Sequence, residues 1–159
     1  MFEVEKLRMH IKKLLLSWFG CGYARHAPGT VGSLAALPIA WVIHQIAGPL
    51  GLLVCALFLF LLGWWLIELQ PETESSGDPQ WIVIDEVTGQ WICLAAAPID
   101  VLWYALAFLF FRLLDITKPW IIGKLDRSLT GGLGIMLDDV AAGIAAALAI
   151  IVCRLAAGV

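Results

Sequence analysis

Charge is what this sequence has least of. Only 14% of its 159 residues are Asp, Glu, Lys or Arg, while 61% are hydrophobic; ordinary soluble domains carry roughly 25% charged residues. A water-soluble domain of this length leaves a large share of its chain exposed. So apolar a chain therefore excludes an ordinary aqueous surface and makes a bilayer the expected solvent. Cys-x-x-Cys spacing is absent from the four cysteines Cys21, Cys55, Cys93 and Cys153, which argues against a zinc site or a disulfide framework. Three of them lie in apolar runs, where a thiol behaves as a small apolar side chain. No basic face or aromatic stacking platform argues for nucleic acid as a partner, and the net charge is only −3. Internal repeats are also missing, which disfavours an inverted-repeat transporter. The first apolar run is short, is broken by Lys12 and Lys13, and lacks a small-residue cleavage site, so it does not read as a secretory signal.

What is present is a series of apolar segments with short connections. Residues 2–19 place Phe2, Leu7, Ile11, Leu14, Leu15 and Trp18 near helical spacing, with Lys6, Arg8, Lys12 and Lys13 between them. That pattern predicts a basic amphipathic helix, suited to an anionic membrane surface or to packing with a solvated face. Residues 20–33 hold four glycines and Pro28 and read as a loop. Thr30 or Ser33 is placed to cap the helix that follows, and the backbone N–H groups there could hold an anion. Leu34 to Ile46 is a short apolar run containing Pro38, ended by Gly48-Pro49. Leu50 to Leu69 has the length of a bilayer span, with Trp64 and Trp65 near its end as interfacial aromatics. Trp81 to Ala97 and Val101 to Leu114 are further apolar runs, separated by a turn at Pro98-Ile99-Asp100. A last helix is expected from about Ile135 or Asp139 to Ala157, rich in Ala and Gly and so able to approach neighbours closely.

The fold class expected is thus all-α: a small integral membrane bundle, residues 1–159 forming one domain, with an interfacial helix over 1–19 and about four to five membrane segments. Alternating the segments puts nine of the ten Lys and Arg residues on one side, with His44, Asp100 and Arg154 on the other. By the positive-inside rule the populated side is cytoplasmic.

Three charged clusters meet on that side. They are Asp85-Glu86 with Thr88-Gly89; Arg112, Asp115 and Lys118; and Asp126-Arg127 followed by Gly131-Gly132-Leu133-Gly134 and Asp138-Asp139. Arg112 and Asp115 would share a helical face, and Asp138 and Asp139 would stand at a helix N-terminus, where negative charge is favoured. Converging carboxylates repel unless a cation relieves them. Hard Mg2+ suits such oxygens, and neighbouring Arg and Lys suit phosphate. The same residues also admit ordinary roles: a helix cap at Asp138 or Asp139, a structural ion pair at Arg112 and Asp115, a water-facing pair at Asp85-Glu86, a solvated pair at Asp126-Arg127 and a flexible turn at the glycines.

Taken in order, Ala27-Pro28-Gly29-Thr30-Val31-Gly32-Ser33-Leu34, Ile84-Asp85-Glu86-Val87-Thr88-Gly89, Phe111-Arg112-Leu113-Leu114-Asp115-Ile116-Thr117-Lys118-Pro119-Trp120, Asp126-Arg127 and Gly131 through Gly143 resemble the phosphatidylglycerophosphatase A family. The resemblance runs from about residue 18 to 150. It implies a Mg2+-dependent lipid phosphatase of the bacterial inner membrane, which removes the terminal phosphate of phosphatidylglycerophosphate to leave phosphatidylglycerol. It implies Asp85, Glu86, Asp115, Asp138 and Asp139 as the acidic, metal-binding and catalytic positions. Thr30, Ser33, Arg112, Lys118 and Arg127 are then the phosphate-binding ones. One departure precedes Pro28: Arg25-His26 stand where members often carry Pro then Lys, so positive charge is kept and a rigid residue lost.

Other phosphatase chemistries lack their residues here. There is no Asp-x-Asp, no Cys followed six residues later by Arg, and no Ser-Gly-His. Two non-enzymatic readings stand beside the phosphatase: a membrane scaffold or lipid-binding protein held by structural ion pairs, and a small transporter with an intramembrane cation site. Oligomeric state is not legible.

Overall fold

The computed structural model of the chain describes residues 2–69, 79–119 and 131–158, and every structural statement below concerns these. They form α1 (Phe2–Leu16), a single 3-10 turn (Cys21–Tyr23), α2 (Pro28–Glu68), α3 (Ile84–Leu94), α4 (Val101–Thr117) and α5 (Gly131–Ala157), with no strand among them. The all-helical expectation holds. Two of these helices, α2 and α5, are long and apolar enough to cross a membrane.

The 41 residues of α2 do not run straight. Gly48 has φ 68° and ψ −174° in the middle of the helix, a backbone state open to glycine and costly to residues with a Cβ. A Cβ at Gly32 would lie 2.9 Å from Cβ of Val83, and one at Gly63 would lie 3.1 Å from Cγ2 of the adjacent residue, Ile84. A straight helix would separate positions 32 and 63 by about 46 Å. The helix therefore doubles back at Gly48 into two arms, residues 28–47 and 49–68, that flank α3 side by side. The Gly48-Pro49 pair, expected to end a helix, reverses one instead. Pro38 lies within the first arm without ending it.

At the centre of the bundle is α3, packed by α2, α4 and α5. It is shorter than the apolar run that contains it. The Val83 N–H is taken by the carbonyl of Leu16 at 2.9 Å, and past Leu94 the chain enters turns. Eleven residues rise about 16 Å, half a bilayer core. Asp100 starts α4 by accepting from the N–H of Leu102 at 2.8 Å and of Trp103 at 3.3 Å. Leu16, Leu52, Ile67, Ile84, Leu94, Phe111, Met136 and Ile150 fill the interior.

The basic amphipathic helix is present as α1. Its Val4, Leu7, Ile11 and Leu14 face outward, whereas Leu16 and Trp18 are buried, Trp18 against the edge of Trp91. The cysteines are free; Cys93 is buried and the other three are half-buried.

Candidate active site

Three carboxylates converge from two helices. Asp85 and Glu86 are the second and third residues of α3, and Asp139 comes from α5. One oxygen of each lies within 4.8 Å of the others, with Asp85 and Asp139 buried and Glu86 half-buried. Asp115, buried on α4, adds a fourth carboxyl whose charge bears on Asp139. So many carboxyl groups in a poorly solvated space repel strongly.

Backbone contact between α3 and α5 brings these groups together. A Cβ on Gly143 would run into the carbonyl of Gly89, and one on Gly89 would run into the carbonyl of Asp139. Only glycines allow this approach, which carries the first turn of α3 against Asp139.

Arg112 supplies the counter-charge. It donates from Nη1 to Oδ2 of Asp115, one turn along α4, and the same nitrogen lies 3.9 Å from Oε1 of Glu86. The expected i, i+3 pairing is present, but the pair is part of a larger cluster. The start of α2 closes one flank. A Cβ on Gly29 would collide with the Glu86 carboxylate and lie 3.2 Å from Nη2 of Arg112. The positive end of α2 thus faces Glu86 and Arg112, favourable for negative charge.

Two expectations about helix ends are corrected. Thr30 and Ser33 do not cap α2. The helix starts earlier, at Pro28, whose missing N–H suits a first position. Its N-cap is Ala27, with no side-chain cap. Ser33 is buried one turn inside and donates to the carbonyl of Gly29 at 2.8 Å; Thr30 is half-buried in the first turn. Likewise Asp138 and Asp139 are not at an N-terminus. Helix α5 starts at Gly131, so they sit about 10–12 Å inside it. The glycines read as a flexible turn are its first residues, with only Gly131 left-handed at φ 79°.

Asp138 and Asp139 point to different partners. Oδ2 of Asp138 accepts from Nζ of Lys118 at 2.6 Å, and its Oδ1 accepts from the Asp139 N–H at 3.0 Å. Asp138 and Lys118 therefore form a flank of the cluster rather than its centre. Arg127, with Asp126 and Lys124, lies outside the described residues. Arg25 and His26 are exposed beside the start of α2.

Glu68 is a residue that the sequence reading passed over. It ends the second arm of α2 and accepts the N–H of Gly132 at 3.0 Å, satisfying one of the open donors at the start of α5. Its only sequence signal is a lone charge after a charge-free span. At the opposite end of the bundle, Nη1 of Arg154 donates to the carbonyl of Ala96 at 2.9 Å.

The cluster fits a divalent cation. Oε2 of Glu86 is buried with no hydrogen-bond partner among the described residues, a costly state for a carboxylate oxygen, and the donors are all hard oxygens of the kind Mg2+ prefers.

Comparison with known proteins follows the same line. A family model described as phosphatidylglycerophosphatase A matches residues 14–154. A phosphatidylglycerophosphatase A of Escherichia coli K12 is 39% identical over 156 residues, covering 91% of this chain and 86% of the relative. One of Haemophilus influenzae is 38% identical, covering 86% and 85%. A protein of Bacteroides thetaiotaomicron, provisionally named a phosphatidylinositol-3-phosphatase, is 37% identical, covering 89% and 92%. No solved structure matches the chain significantly.

Proposed function

The chain belongs to the phosphatidylglycerophosphatase A family, and we propose that it hydrolyses the terminal phosphomonoester of phosphatidylglycerophosphate, giving phosphatidylglycerol and phosphate, at the carboxylate cluster of α3, α4 and α5. The observation that carries the assignment of the site is the convergence of Asp85, Glu86 and Asp139 within 4.8 Å, beside Arg112 and inside an apolar bundle.

Asp85, Glu86 and Asp139 would hold Mg2+, with Asp115 and Asp138 as neighbouring carboxylates. Bound there, the ion would supply Lewis acidity toward the phosphoryl oxygens and lower the pKa of water. The rest falls to the chain's own groups. Arg112, held between Asp115 and Glu86, presents a planar donor set matched to phosphate oxygens. Lys118 adds a second positive charge from the Asp138 flank. Thr30 and the positive end of α2 border the same space. Arg127 belongs with these basic groups on its motif, and Ser33 supports the first turn of α2. The burial of Asp85 and Asp139 keeps the site poor in water, which strengthens each charged contact.

The bundle sits in the bacterial inner membrane with this end at the cytoplasmic face. Supporting the orientation is the charge pattern of the sequence, since alternating its apolar segments puts nine of the ten basic residues on one side. The two arms of α2 together with α3, α4 and α5 make up the four to five membrane segments, α3 only partly crossing. Helix α1 lies along the surface, its exposed apolar residues toward the lipid and its lysines toward anionic headgroups.

Phosphate release from phosphatidylglycerophosphate by the purified protein in detergent tests the reading. Release should rise with Mg2+ and stop with EDTA. Equal rates with EDTA and with Mg2+ would refute the metal assignment, and no release in either condition would refute the reaction. Phosphatidylinositol-3-phosphate, run in parallel, reports how far the headgroup is selected.

A further inference from the structure

An apolar groove of about 350 Å3 runs between the first arm of α2 and α4, lined by Leu34, Leu37, Trp41, Tyr104, Ala105 and Phe108. Its position follows from helical spacing. On α2, Thr30, Leu34, Leu37 and Trp41 fall at i, i+4, i+7 and i+11, one face of the helix. On α4, Arg112, Phe108, Ala105 and Val101 fall on one face in the same way. Each wall is therefore a single stripe, one headed by Thr30, next to the Gly29 that packs on Glu86, and the other by Arg112, which pairs with the carboxylate cluster.

The groove runs from the site end of the two helices toward their middle. At the top stands Arg112, whose Nη2 a Cβ on Gly29 would approach to 3.2 Å. At the bottom, Nδ1 of His44 and the Tyr104 hydroxyl are 3.0 Å apart, and the Trp41 ring meets Tyr104 edge-on at 4.8 Å. Leu34 to Trp41 spans about 10 Å along the helix. The Tyr104 hydroxyl near the floor is engaged by His44, and the surface of the groove is almost wholly apolar.

A second apolar groove, of about 380 Å3, lies between the other arm of α2 and α5, with Leu137, Val140 and Ile144 as its α5 wall. That stripe is turned roughly a third of a turn away from Asp138 and Asp139, and although Ile92 of α3, seven residues from Asp85, also lines this groove, no basic residue that could hold a phosphate does.

We propose that the groove between the first arm of α2 and α4 binds an acyl chain of the lipid phosphomonoester while its phosphate sits at Thr30 and Arg112. The inference rests on the lipid phosphatase reading and adds to it the place of the tail. The groove is a specific subsite, whereas the second groove takes any bilayer lipid.

Photolabelling tests this without turnover. The full chain is reconstituted in phosphatidylcholine vesicles with either phosphatidic acid or phosphatidylcholine carrying a diazirine in one acyl chain. Peptides spanning 34–41 and 101–108 should be labelled more by the phosphomonoester probe, and unlabelled phosphatidylglycerophosphate should compete. The wall at 137–144 should be labelled alike by both probes. Equal labelling of the first groove by both probes, or no competition, would overturn the proposal. Because labelling is read separately from phosphate release, loss of the reaction reading leaves this result standing on its own. As a second measurement, Ala105→Phe fills the groove at an exposed position. It should lower activity on the diacyl substrate relative to its deacylated analogue by about tenfold or more. An equal change on both substrates would also overturn it.

Discussion

Adding one methyl group at Gly89 should disable the site while leaving the bundle folded. A Cβ there would lie 2.5 Å from Cε2 and 2.9 Å from Cζ of Phe111, and would also press on the Asp139 carbonyl. Carbon atoms settle about 3.5–4.0 Å apart, so α3 must move by roughly 1 Å from α4 and α5. Overpacking of this kind costs about 1–3 kcal/mol, partly offset by the roughly 1 kcal/mol that alanine gains over glycine within a helix. The net loss of stability is thus modest. Asp85 and Glu86, one turn earlier on the same short helix, move with it, while Asp139 stays on α5. A misplacement of about 1 Å costs on the order of 100-fold in rate. Gly89→Ala should therefore lose about two orders of magnitude in phosphate release at saturating Mg2+, with a melting temperature in detergent only a few degrees lower. Wild-type turnover in Gly89→Ala would refute the claim that helix approach sets the carboxylate geometry. A loss of activity matched by the unfolded fraction would do the same.

Arg112→Ala should lower turnover by about 100–1,000-fold, the usual cost of removing one charge-stabilising donor, and Arg112→Lys should recover little of it because a lysine lacks the planar set of donors that could face phosphate oxygens while one nitrogen holds Asp115. Asp139→Asn should weaken Mg2+ dependence most, read as the concentration for half-maximal phosphate release. Asp138→Asn should act mainly by releasing Lys118, read as a raised KM for substrate; equal Mg2+ shifts in both variants would contradict the separation of the two aspartates. Glu68→Ala leaves the Gly132 N–H without its acceptor and should lower stability by about 1–3 kcal/mol, whereas Glu68→Gln keeps an acceptor and should unfold closer to wild type in a thermal melt.

Much of the local chemistry was legible because it depends on short spacings. Arg112 and Asp115 are three residues apart, and a helix pairs them whatever surrounds it. Asp100 was legible as part of a turn, and the structure adds that it caps α4 from there. The contact that assembles the cluster was not legible. Asp85 and Asp139 are 54 positions apart in the sequence, and they meet because Gly89 and Gly143 let two backbones touch, which no periodicity announces. Glycine also misled at the start of α5. Gly131, Gly132 and Gly134 have the composition of a turn, yet Gly132 lies in the helix against the carbonyl of Trp64, which a Cβ would approach to 2.9 Å. Local propensity favours a turn there, and packing overrides it. Gly48-Pro49 carried its signal plainly, but whether such a pair ends a helix or folds it back is decided by what the two arms pack on. Here they pack on Val83 and Ile84.

The depth of the cluster explains why a lateral groove matters. Positions 32 and 63 of α2 are level with Val83 and Ile84, and each lies four or five residues from the end of its arm, about 6–7 Å. Asp139 is deeper within its own helix, about 12 Å from its start. The carboxylates are thus sunk one to two turns below the end of the bundle, not displayed on it. A soluble phosphomonoester would have to descend from the end past Arg112, Lys118 and the first turn of α2. A lipid approaching from the side has its phosphate at that level already, if its tail lies along Leu34 and Phe108 while Thr30 and Arg112 head the same two stripes. Sinking the charges also raises the repulsion among them, which Arg112 and Lys118 offset in part and which a cation bound as proposed would offset further. On the proposed reading, the same burial that would favour lipid over soluble substrates would also make turnover depend on bound positive charge.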